Sequence, residues 1–418
     1  MKTAITGATL ITQDHGRIIS EGTLILEDNV VHSLGEASMI PLRGVDEVID
    51  ASGMTVLPGL INMHDHVARK RLRLNEPGMR YKDQSDRLMA KSTEYLALHT
   101  ARNLYDHVCS GVTTVRDFGL PGVTALEAHQ AVEEGVIPGP QLLTGGDPIA
   151  ISGGHATNWG AQEVDGPVEI TKAVRKAIHK GAHVLKFMAS GGLGTYPDED
   201  PGIPELTVEE LAAGITTAHQ FGRPAAAHAY STESIKNTLQ AGIDTVEHGA
   251  FMDEETATLM IETGAAHVPT VSGLVAIGFN LKVIGRHALG QQILDEVITP
   301  LQQSVRISAE HGVPLVTGTD TSGEIVEELE LIAEAAGWSP EQVLGAATDV
   351  AADVLGIPAG RLRPGLRADV LVVDGDPLAD LEALRRPQWV FARGRQFSGK
   401  PAPLGVRLRT LQGVDEAL

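Results

Sequence analysis

Residues 57–66 read LPGLINMHDH, an apolar segment that ends in two histidines one residue apart. The apolar residues predict a buried β-strand, and side chains two positions apart on a strand point to the same side. His64 and His66 are therefore predicted to project together from the end of this strand. Two imidazoles in this arrangement suit zinc or another first-row divalent ion. A His-x-His triplet also occurs by chance, so a metal site requires further ligands elsewhere in the chain.

The chain from residue 59 to residue 319 alternates short apolar segments with amphipathic ones, which is typical of parallel βα units. The strands are predicted at residues 59–66, 113–118, 141–144, 183–188, 224–228, 245–248, 267–270 and 314–319. The main helices are predicted at residues 88–110, 169–180, 207–221, 232–241, 253–263 and 294–311. Eight such units predict an α/β protein with a closed (β/α)8 TIM barrel, whose chemistry lies at the carboxyl ends of the strands.

Both chain ends are rich in β-forming residues and turns. Strands are predicted there at residues 4–11, 22–27, 29–34, 365–374 and 388–394. The simplest interpretation is a small β-sandwich built from both ends of the chain. The predicted domains are residues 1–58 and 360–418 for the sandwich and residues 59–359 for the barrel.

Composition excludes several classes of partner. Lys and Arg total 33 against 54 Asp and Glu, which gives a net charge of -21 and argues against binding to nucleic acid or an anionic membrane. The single cysteine, Cys109, excludes an internal disulfide. The sequence shows neither a signal-peptide core nor an apolar run long enough to span a bilayer, so a cytoplasmic location is expected.

Four later strand ends each carry another side chain that could bind a metal. Lys186 lies in a predicted buried strand, where burial would lower its pKa and favour a neutral amine able to capture carbon dioxide as a carbamate. Alternatively, the aliphatic part of the Lys186 side chain could be buried while its charged amine reaches solvent at the mouth of the barrel. His228 and His248 end the fifth and sixth strands, and Asp320 follows the eighth. Each histidine alone could be structural, and Asp320 could cap the following helix.

At these residues the chain resembles the amidohydrolase superfamily of metal-dependent hydrolases. The matching segments are residues 58–66, 185–192, 227–230, 247–249 and 318–320, together with the strand at residues 368–372. Asn62 departs from the pattern, since aspartate is more usual there. Within the superfamily the chain is most similar to the imidazolonepropionase-related branch, which holds Xaa-Pro dipeptidases, carboxypeptidase-like enzymes and ochratoxin-type amidases.

The resemblance implies two divalent metal ions, most simply zinc. One would be held by His64, His66 and Asp320, and the other by His228 and His248. Carbamylated Lys186 and a hydroxide would bridge the two ions. Asp320 would orient the hydroxide and transfer its proton to the leaving amine.

Two further residues are candidates for contact with the substrate. His155 follows the third strand, where this branch often carries a substrate-binding histidine, and Tyr230 lies just past His228. Both could instead pack within their loops. Structural or surface roles are predicted for the mid-helix histidines, which are His99, His107, His179 and His219. The relatives often offer a basic residue after His-Ala-Tyr, whereas this chain has an acid there, Glu233.

A basic segment follows the first strand. Its basic residues are Arg69, Lys70, Arg71, Arg73, Arg80, Lys82, Arg87 and Lys91. On an acidic protein such a cluster can attract anions, and arginine binds carboxylates with two hydrogen bonds. The segment therefore predicts a small, carboxylate-bearing substrate. The alternative is that these bases pair with acids elsewhere, for example at a subunit interface of a homo-oligomer.

The leading functional prediction is a binuclear metal hydrolase that cleaves the amide bond of an N-acyl amino acid, a dipeptide or a related xenobiotic amide. The nearest alternative is a hydrolase or deaminase of a cyclic ureide, carbamate or heterocycle on the same barrel. Mononuclear deaminases of the superfamily usually place an acid soon after the fifth-strand histidine, and here Glu233 is five residues further on. A catalytically inactive scaffold is the third possibility.

Overall fold

The computed structural model describes residues 1–70, 81–119, 124–193 and 199–399. Its strands are β1 Lys2–Ile11, β2 Ile18–Glu27, β3 Val30–Glu36, β4 Glu47–Asp50, β5 Thr55–Pro58, β6 Leu60–Asp65, β7 Val112–Asp117, β8 Gln141–Thr144, β9 Ile149–Ala150, β10 Gln162–Glu163, β11 Leu185–Met188, β12 Ala225–Ala229, β13 Thr245–His248, β14 Ala266–Val268, β15 Val370–Val373, β16 Pro387–Ala392 and β17 Arg395–Ser398. Its helices are α1 Tyr81–Met89, α2 Thr93–Cys109, α3 Thr124–Glu133, α4 Gly166–His179, α5 Val208–Gln220, α6 Thr232–Gln240, α7 Glu254–Thr263, α8 Val271–Val283, α9 His287–Ile293, α10 Thr299–His311, α11 Ile325–Ala336, α12 Pro340–Ala346 and α13 Asp349–Leu355.

Two parallel sheets form the central part of the chain, which confirms the predicted α/β class. One has the order β6-β7-β8 and the other the order β10-β9-β11-β12-β13-β14. The first seven predicted barrel strands correspond to β6, β7, β8 and β11 to β14, with boundaries that differ by a few residues. Helices α2, α3, α5, α6 and α13 pack against these strands. The strand residues are almost entirely buried, as expected for parallel strands.

The eighth predicted strand, residues 314–319, is wrong as a continuous strand. This segment pairs only through single bridges, from Leu315 to His267 and from Asp320 to Asp65. Its neighbours nevertheless bond to its backbone: the N–H of Val316 donates to His267 at 3.0 Å, and Thr317 accepts from the N–H of Met63 at 2.8 Å. The segment therefore lies between β14 and β6, and it brings Asp320 beside the end of β6.

Strands from both chain ends pair in a third sheet. Its order is β17-β16-β15-β5-β1-β2-β3, with β4 beside β1. The two ends meet where β15 runs antiparallel to β5, with Val370 opposite Pro58. The joint sheet agrees with the predicted pairing of the two ends. Its division into a two-layer sandwich and the domain boundaries stay predictions.

The helix predicted at residues 88–110 is two helices, α1 and α2. Ser92 separates them, because it adopts an extended backbone and its hydroxyl accepts the N–H of Tyr95 at 3.2 Å as an N-cap. In the described residues no helix is long and apolar enough to cross a membrane. Arg71, Arg73 and Arg80 of the basic segment, and the side chain of Lys82, lie outside the described part of the chain.

Candidate metal centre and active site

His64, His66 and Asp320 lie together at the end of β6, as the sequence predicts. One potential ligand atom from each side chain lies within 4.8 Å of the others. His66 Nε2 lies 3.6 Å from Asp320 Oδ1. His64 and His66 are almost completely buried, which favours strong interaction with any bound cation. A three-ligand group of this composition suits a borderline divalent metal.

His228 and His248 extend this cluster from the ends of β12 and β13. The ring centroid of His248 lies 5.1 Å from that of His64 and 4.8 Å from that of His228. The two strands are neighbours in the sheet, and their parallel register places both histidines at the same edge. The four predicted histidine ligands therefore form one continuous group.

Each of these imidazoles has one nitrogen held by a partner from another part of the chain. The nitrogen in the hydrogen bond is Nδ1 in His64, His66 and His248, and it is Nε2 in His228. The contacts are His64 with Glu247 at 2.7 Å, His66 with the Gly119 carbonyl at 3.1 Å, His248 with the Thr270 hydroxyl at 2.6 Å, and His228 with the Gly191 carbonyl at 3.1 Å. Metal-binding histidines usually carry such a partner on the nitrogen that does not bind the metal.

Lys186 on β11 is buried beside the histidines, with 2% of its surface exposed. Its Nζ has no hydrogen-bond partner within the residues that the structure describes. Burial lowers the pKa of Lys186 to about 7, so a large fraction is a neutral amine near neutral pH. The Lys186 amine lies over the ring of Phe118, with 4.3 Å between Nζ and the ring centroid.

The electrostatics of the cluster favour neutral imidazoles with free lone pairs. Burial is the largest cause, and it holds the pKa values of His64, His228 and His248 well below the usual range. When Lys186 is protonated, its charge lowers the pKa of each of them further. Neutral imidazoles, one carboxylate and an amine without a partner fit the ligand needs of divalent metal ions.

Asp320 occupies a strained position that the surrounding backbone holds in place. Its φ of 48° lies in the left-handed region, which is unusual for a residue with a side chain. Its N–H donates to the His64 carbonyl at 2.9 Å, and its Oδ1 accepts from the N–H of Thr321 at 2.6 Å. Burial opposes ionisation, but the adjacent His64 and His66 lower the pKa of Asp320 below its ordinary value. The carboxylate is therefore ionised near neutral pH.

Sequence analysis missed a buried ion pair beneath the cluster. Arg116 on β7 donates to Glu247 Oε1 at 2.8 Å, and the other oxygen of Glu247 faces His64. Arg116 also donates to the Met63 carbonyl at 2.6 Å. Charged residues inside the fully buried strands β7 and β13 were the available signal. Their partners could not be assigned because the two residues lie 131 positions apart.

Replacement of Glu247 by alanine should strongly destabilise the protein, because it leaves the Arg116 charge buried without its partner. Breaking a buried pair typically costs about 3–5 kcal/mol in the free energy of unfolding. Chemical denaturation of the metal-free protein measures this. The matched control is Glu255→Ala, which breaks the ion pair of Glu255 with Lys236, where 75% of the Glu255 side chain is exposed. That change should cost less than about 1 kcal/mol. Equal losses in both variants would contradict a structural role for the buried pair.

Lys70 fits the alternative interpretation of the basic segment, in which its bases pair with acids elsewhere in the chain. It is buried, and its Nζ donates to Asp65 Oδ2 at 2.7 Å and to the Thr319 hydroxyl at 2.8 Å. It therefore stabilises the connection between β6 and the segment at Asp320 and does not face a substrate or a subunit interface. A run of basic residues in the sequence does not indicate which member has a buried acid within reach.

Arg69, the residue before Lys70 in the basic segment, has different contacts. Its side chain is half-buried, and its guanidinium carbon lies 3.8 Å from the ring centroid of Trp159. No ion pair joins it to a carboxylate of the described residues, although its charge contributes to the lowered pKa of Asp320. Trp159 in turn lies 5.5 Å from the ring of His155, between ring centroids. Arg69 is thus a cation beside the histidine cluster.

His155 and Tyr230 both contact the predicted metal ligands. The His155 ring stacks on His228 with 4.2 Å between centroids, and the Tyr230 ring stacks on His248 at 5.0 Å. Burial is the main cause that raises the pKa of Tyr230 well above its usual value, so its phenol stays protonated and can donate a hydrogen bond. Their contact with a substrate stays a prediction.

These observations define the class of protein: a parallel α/β protein in which buried side chains that could hold a metal ion cluster at the carboxyl ends of the strands. The chain belongs to the amidohydrolase family, whose model matches residues 55–396. The match spans β5 to β17 and therefore covers every predicted ligand.

Proteins of the predicted branch are among those similar to this chain, which confirms the resemblance. The chain is 27% identical to ochratoxinase from Aspergillus niger over 434 aligned positions, covering 95% of this chain and 87% of that protein. The crystal structure of A. niger ochratoxinase superposes with a TM-score of 0.83 at 25% identity, over 98% of each chain. A Xaa-Pro dipeptidase with methionine bound in its active site superposes with a TM-score of 0.85 at 28% identity, over 96% of this chain and 100% of that one.

Proposed function

We propose that this chain is a binuclear metal-dependent amidohydrolase that cleaves the amide bond of an N-acyl amino acid, a dipeptide or a related amide. The observation that carries the proposal is Lys186, a buried amine without a hydrogen-bond partner among the described residues, placed beside four histidines and Asp320. An unpaired buried amine is costly unless another group completes it. Reaction of the neutral Lys186 amine with carbon dioxide, with loss of one proton, would give a carbamate whose oxygens could serve as metal ligands.

In this proposal His64, His66 and Asp320 would hold one ion and His228 and His248 the other, and carbamylated Lys186 would be a ligand of both. Two divalent ions, when bound, supply Lewis acidity toward the substrate carbonyl and lower the pKa of a water molecule. Asp320 accepts a proton from the attacking water and delivers it to the nitrogen of the leaving amine. The protonated phenol of Tyr230 donates a hydrogen bond to the scissile carbonyl or to a substrate carboxylate.

The proposal also includes a closed (β/α)8 barrel. Its support is the backbone hydrogen bonds between the two parallel sheets: His183 donates to Thr144 at 2.8 Å on one side, and the segment at residues 314–320 bonds to both β14 and β6 on the other. A closed barrel would explain why side chains from five strand ends meet in one cluster. Zinc as the metal, a homo-oligomeric state and a cytoplasmic location stay predictions.

The deaminase alternative receives less support from the structure. Glu233, the acid that follows the fifth-strand histidine, is exposed on the first turn of α6. An exposed carboxylate there has the usual role of an acidic residue near a helix N-terminus. The deciding experiment reconstitutes the purified protein with zinc and bicarbonate and screens N-acyl amino acids, dipeptides, aryl amides and cyclic ureides. Hydrolysis of ureides alone would overturn the amide assignment.

His155→Ala and Tyr230→Phe should each keep the metal content of the protein and lower kcat/KM for its amide substrate. Both side chains contact metal ligands, but neither is needed to bind an ion in the proposed centre. We expect a loss of about 10–100-fold for each variant, as is typical for groups that support a metal site. Elemental analysis and steady-state kinetics measure the two quantities. Loss of one metal equivalent in either variant would mean that the ligand set is wrong.

Arg69 should favour substrates that carry a carboxylate. An N-acyl amino acid should be hydrolysed faster than its neutral carboxamide, and Arg69→Gln should remove this preference, since charged hydrogen bonds to carboxylates contribute about 1.5–3 kcal/mol. Added salt should narrow the gap in the unmodified protein. Arg87→Gln is the matched control, because Arg87 is an exposed arginine of the same segment on α1. Equal rates on the acid and the carboxamide would leave Arg69 with a structural role.

A further inference from the structure

His155 is paired through its ring with a carboxylate to which sequence analysis assigned no role. Its Nδ1 lies 2.5 Å from Glu199 Oε1, and both side chains are largely shielded from solvent, with 7% and 18% of their surfaces exposed. A carboxylate only accepts hydrogen bonds, so the proton of this contact lies on Nδ1. In the neutral ring this leaves the lone pair on Nε2.

The glycine pair after β11 connects this contact to the metal cluster. The N–H of Gly192 donates to the same Glu199 oxygen at 2.7 Å, and the carbonyl of Gly191 accepts from His228 Nε2 at 3.1 Å. A Cβ on residue 192 would lie 2.2 Å from Cε1 of His155, so only glycine lets the ring lie against the backbone there. Backbone groups of two adjacent glycines, Gly191 and Gly192, therefore hydrogen-bond to both His228 and Glu199.

The ring of His155 is confined on its other side by aromatic neighbours. It stacks on His228 with an interplanar angle of 21°, and Trp159 contacts it edge-on at 71°. A second carboxylate, Glu205, accepts the main-chain N–H of His155 at 2.9 Å and 3.1 Å. Glu205 thus holds the backbone of the residue, whereas Glu199 holds the ring.

We propose that Glu199 is a positioning residue of this site: it fixes the His155 ring with Nδ1 engaged and Nε2 presented to the substrate. The inference rests on the proposed function, because it assumes that His155 contacts the substrate. Without Glu199 the ring loses its tautomer preference and its orientation about the side-chain bonds. Glu199 and His155 therefore act as one unit. Removing either side chain should remove the same contribution to kcat/KM.

The kinetic test is a double-mutant cycle between residues 199 and 155. Glu199→Ala should lower kcat/KM about 10–100-fold, the range found for groups that orient a residue of a metal site. In the His155→Ala background it should cause no further loss, because the effect passes through the ring. Glu199→Gln, which retains an acceptor oxygen, should recover most of the activity. Losses that add in the double variant would overturn the proposal.

A spectroscopic test separates this inference from the proposed activity. The zinc-loaded protein is labelled with ¹⁵N-histidine, and the His155 signals are identified by their loss in His155→Ala, against a background of 16 histidines. The unmodified protein should show an Nδ1–H tautomer, and Glu199→Ala should shift the ring toward Nε2–H or a mixture. Glu205→Gln is the control and should keep the original tautomer. This result does not require turnover, so it stands or fails whether or not an amide is hydrolysed. An unchanged tautomer in Glu199→Ala would overturn the inference.

Discussion

Asp320→Asn should lose at least about 10²–10⁴-fold in kcat, the usual contribution of a general acid–base group, while the protein folds normally. Asparagine is the appropriate replacement for two reasons given by the local structure. It tolerates the left-handed backbone at this position, where φ is 48°, better than most residues. Its side-chain oxygen can also still accept the N–H of Thr321. The change therefore removes the proton-accepting charge with little disturbance of the backbone.

Three measurements check this expectation. Steady-state kinetics on the best amide substrate give the loss in kcat, chemical denaturation tests the fold, and elemental analysis counts metal equivalents. His228 and His248 are unchanged in the variant, so at least one equivalent should remain. Near-normal kcat would remove Asp320 from the proton transfer. A large loss accompanied by loss of both metals would assign it a purely structural or ligand role.

Lys186→Ala should have an effect of similar size on activity and a larger one on metal content. The unmodified protein, reconstituted with zinc and bicarbonate, should hold about two equivalents, as a binuclear site requires. The variant lacks the amine that forms the proposed carbamate, so its metal content should fall below two equivalents and its turnover should largely disappear. With ¹³C-bicarbonate, a carbamate signal should appear in the NMR spectrum of the unmodified protein and be absent from the variant.

Lys236→Ala is the matched control for this experiment. Lys236 is paired with Glu255 at the surface and is remote from the histidine cluster in its contacts. Its removal should change neither the metal content nor the carbamate signal. A single tightly held equivalent in both the unmodified protein and Lys186→Ala would contradict the carbamate bridge. It would leave Lys186 as a buried amine without a role in metal binding.

The fold was predictable wherever a local pattern determined it. Apolar segments of four to eight residues located β6 to β8 and β11 to β14, because parallel strands are buried on both faces. The eighth strand failed as a prediction, since the apolar run at residues 314–319 pairs only through single bridges. The break between α1 and α2 was missed because the capping effect of Ser92 outweighs the apolar periodicity around it.

The site was predictable to the extent that its residues lie at strand ends. His64, His66 and Asp320 meet as expected, and the rule that parallel strands share a carboxyl edge was sufficient for this. The hydrogen-bond partners of the site residues, including those of His155, were not predictable. Glu199 and Glu205 lie beyond β11 without any local pattern, and the pairing of Arg116 with Glu247 joins distant strands. Such contacts depend on tertiary packing, which a single sequence does not reveal.

The partners that hold the four imidazoles have a consequence for how the protein acquires its metal. They are a carboxylate, two main-chain carbonyls and a hydroxyl, and none of them belongs to the proposed ligand set. The rings are therefore oriented by the polypeptide itself, and binding an ion need not restrict their rotation further. We therefore expect metal ions to bind after the protein has folded, in a separate step. Protein freed of metal with a chelator should bind cobalt or manganese in place of zinc without being unfolded and refolded.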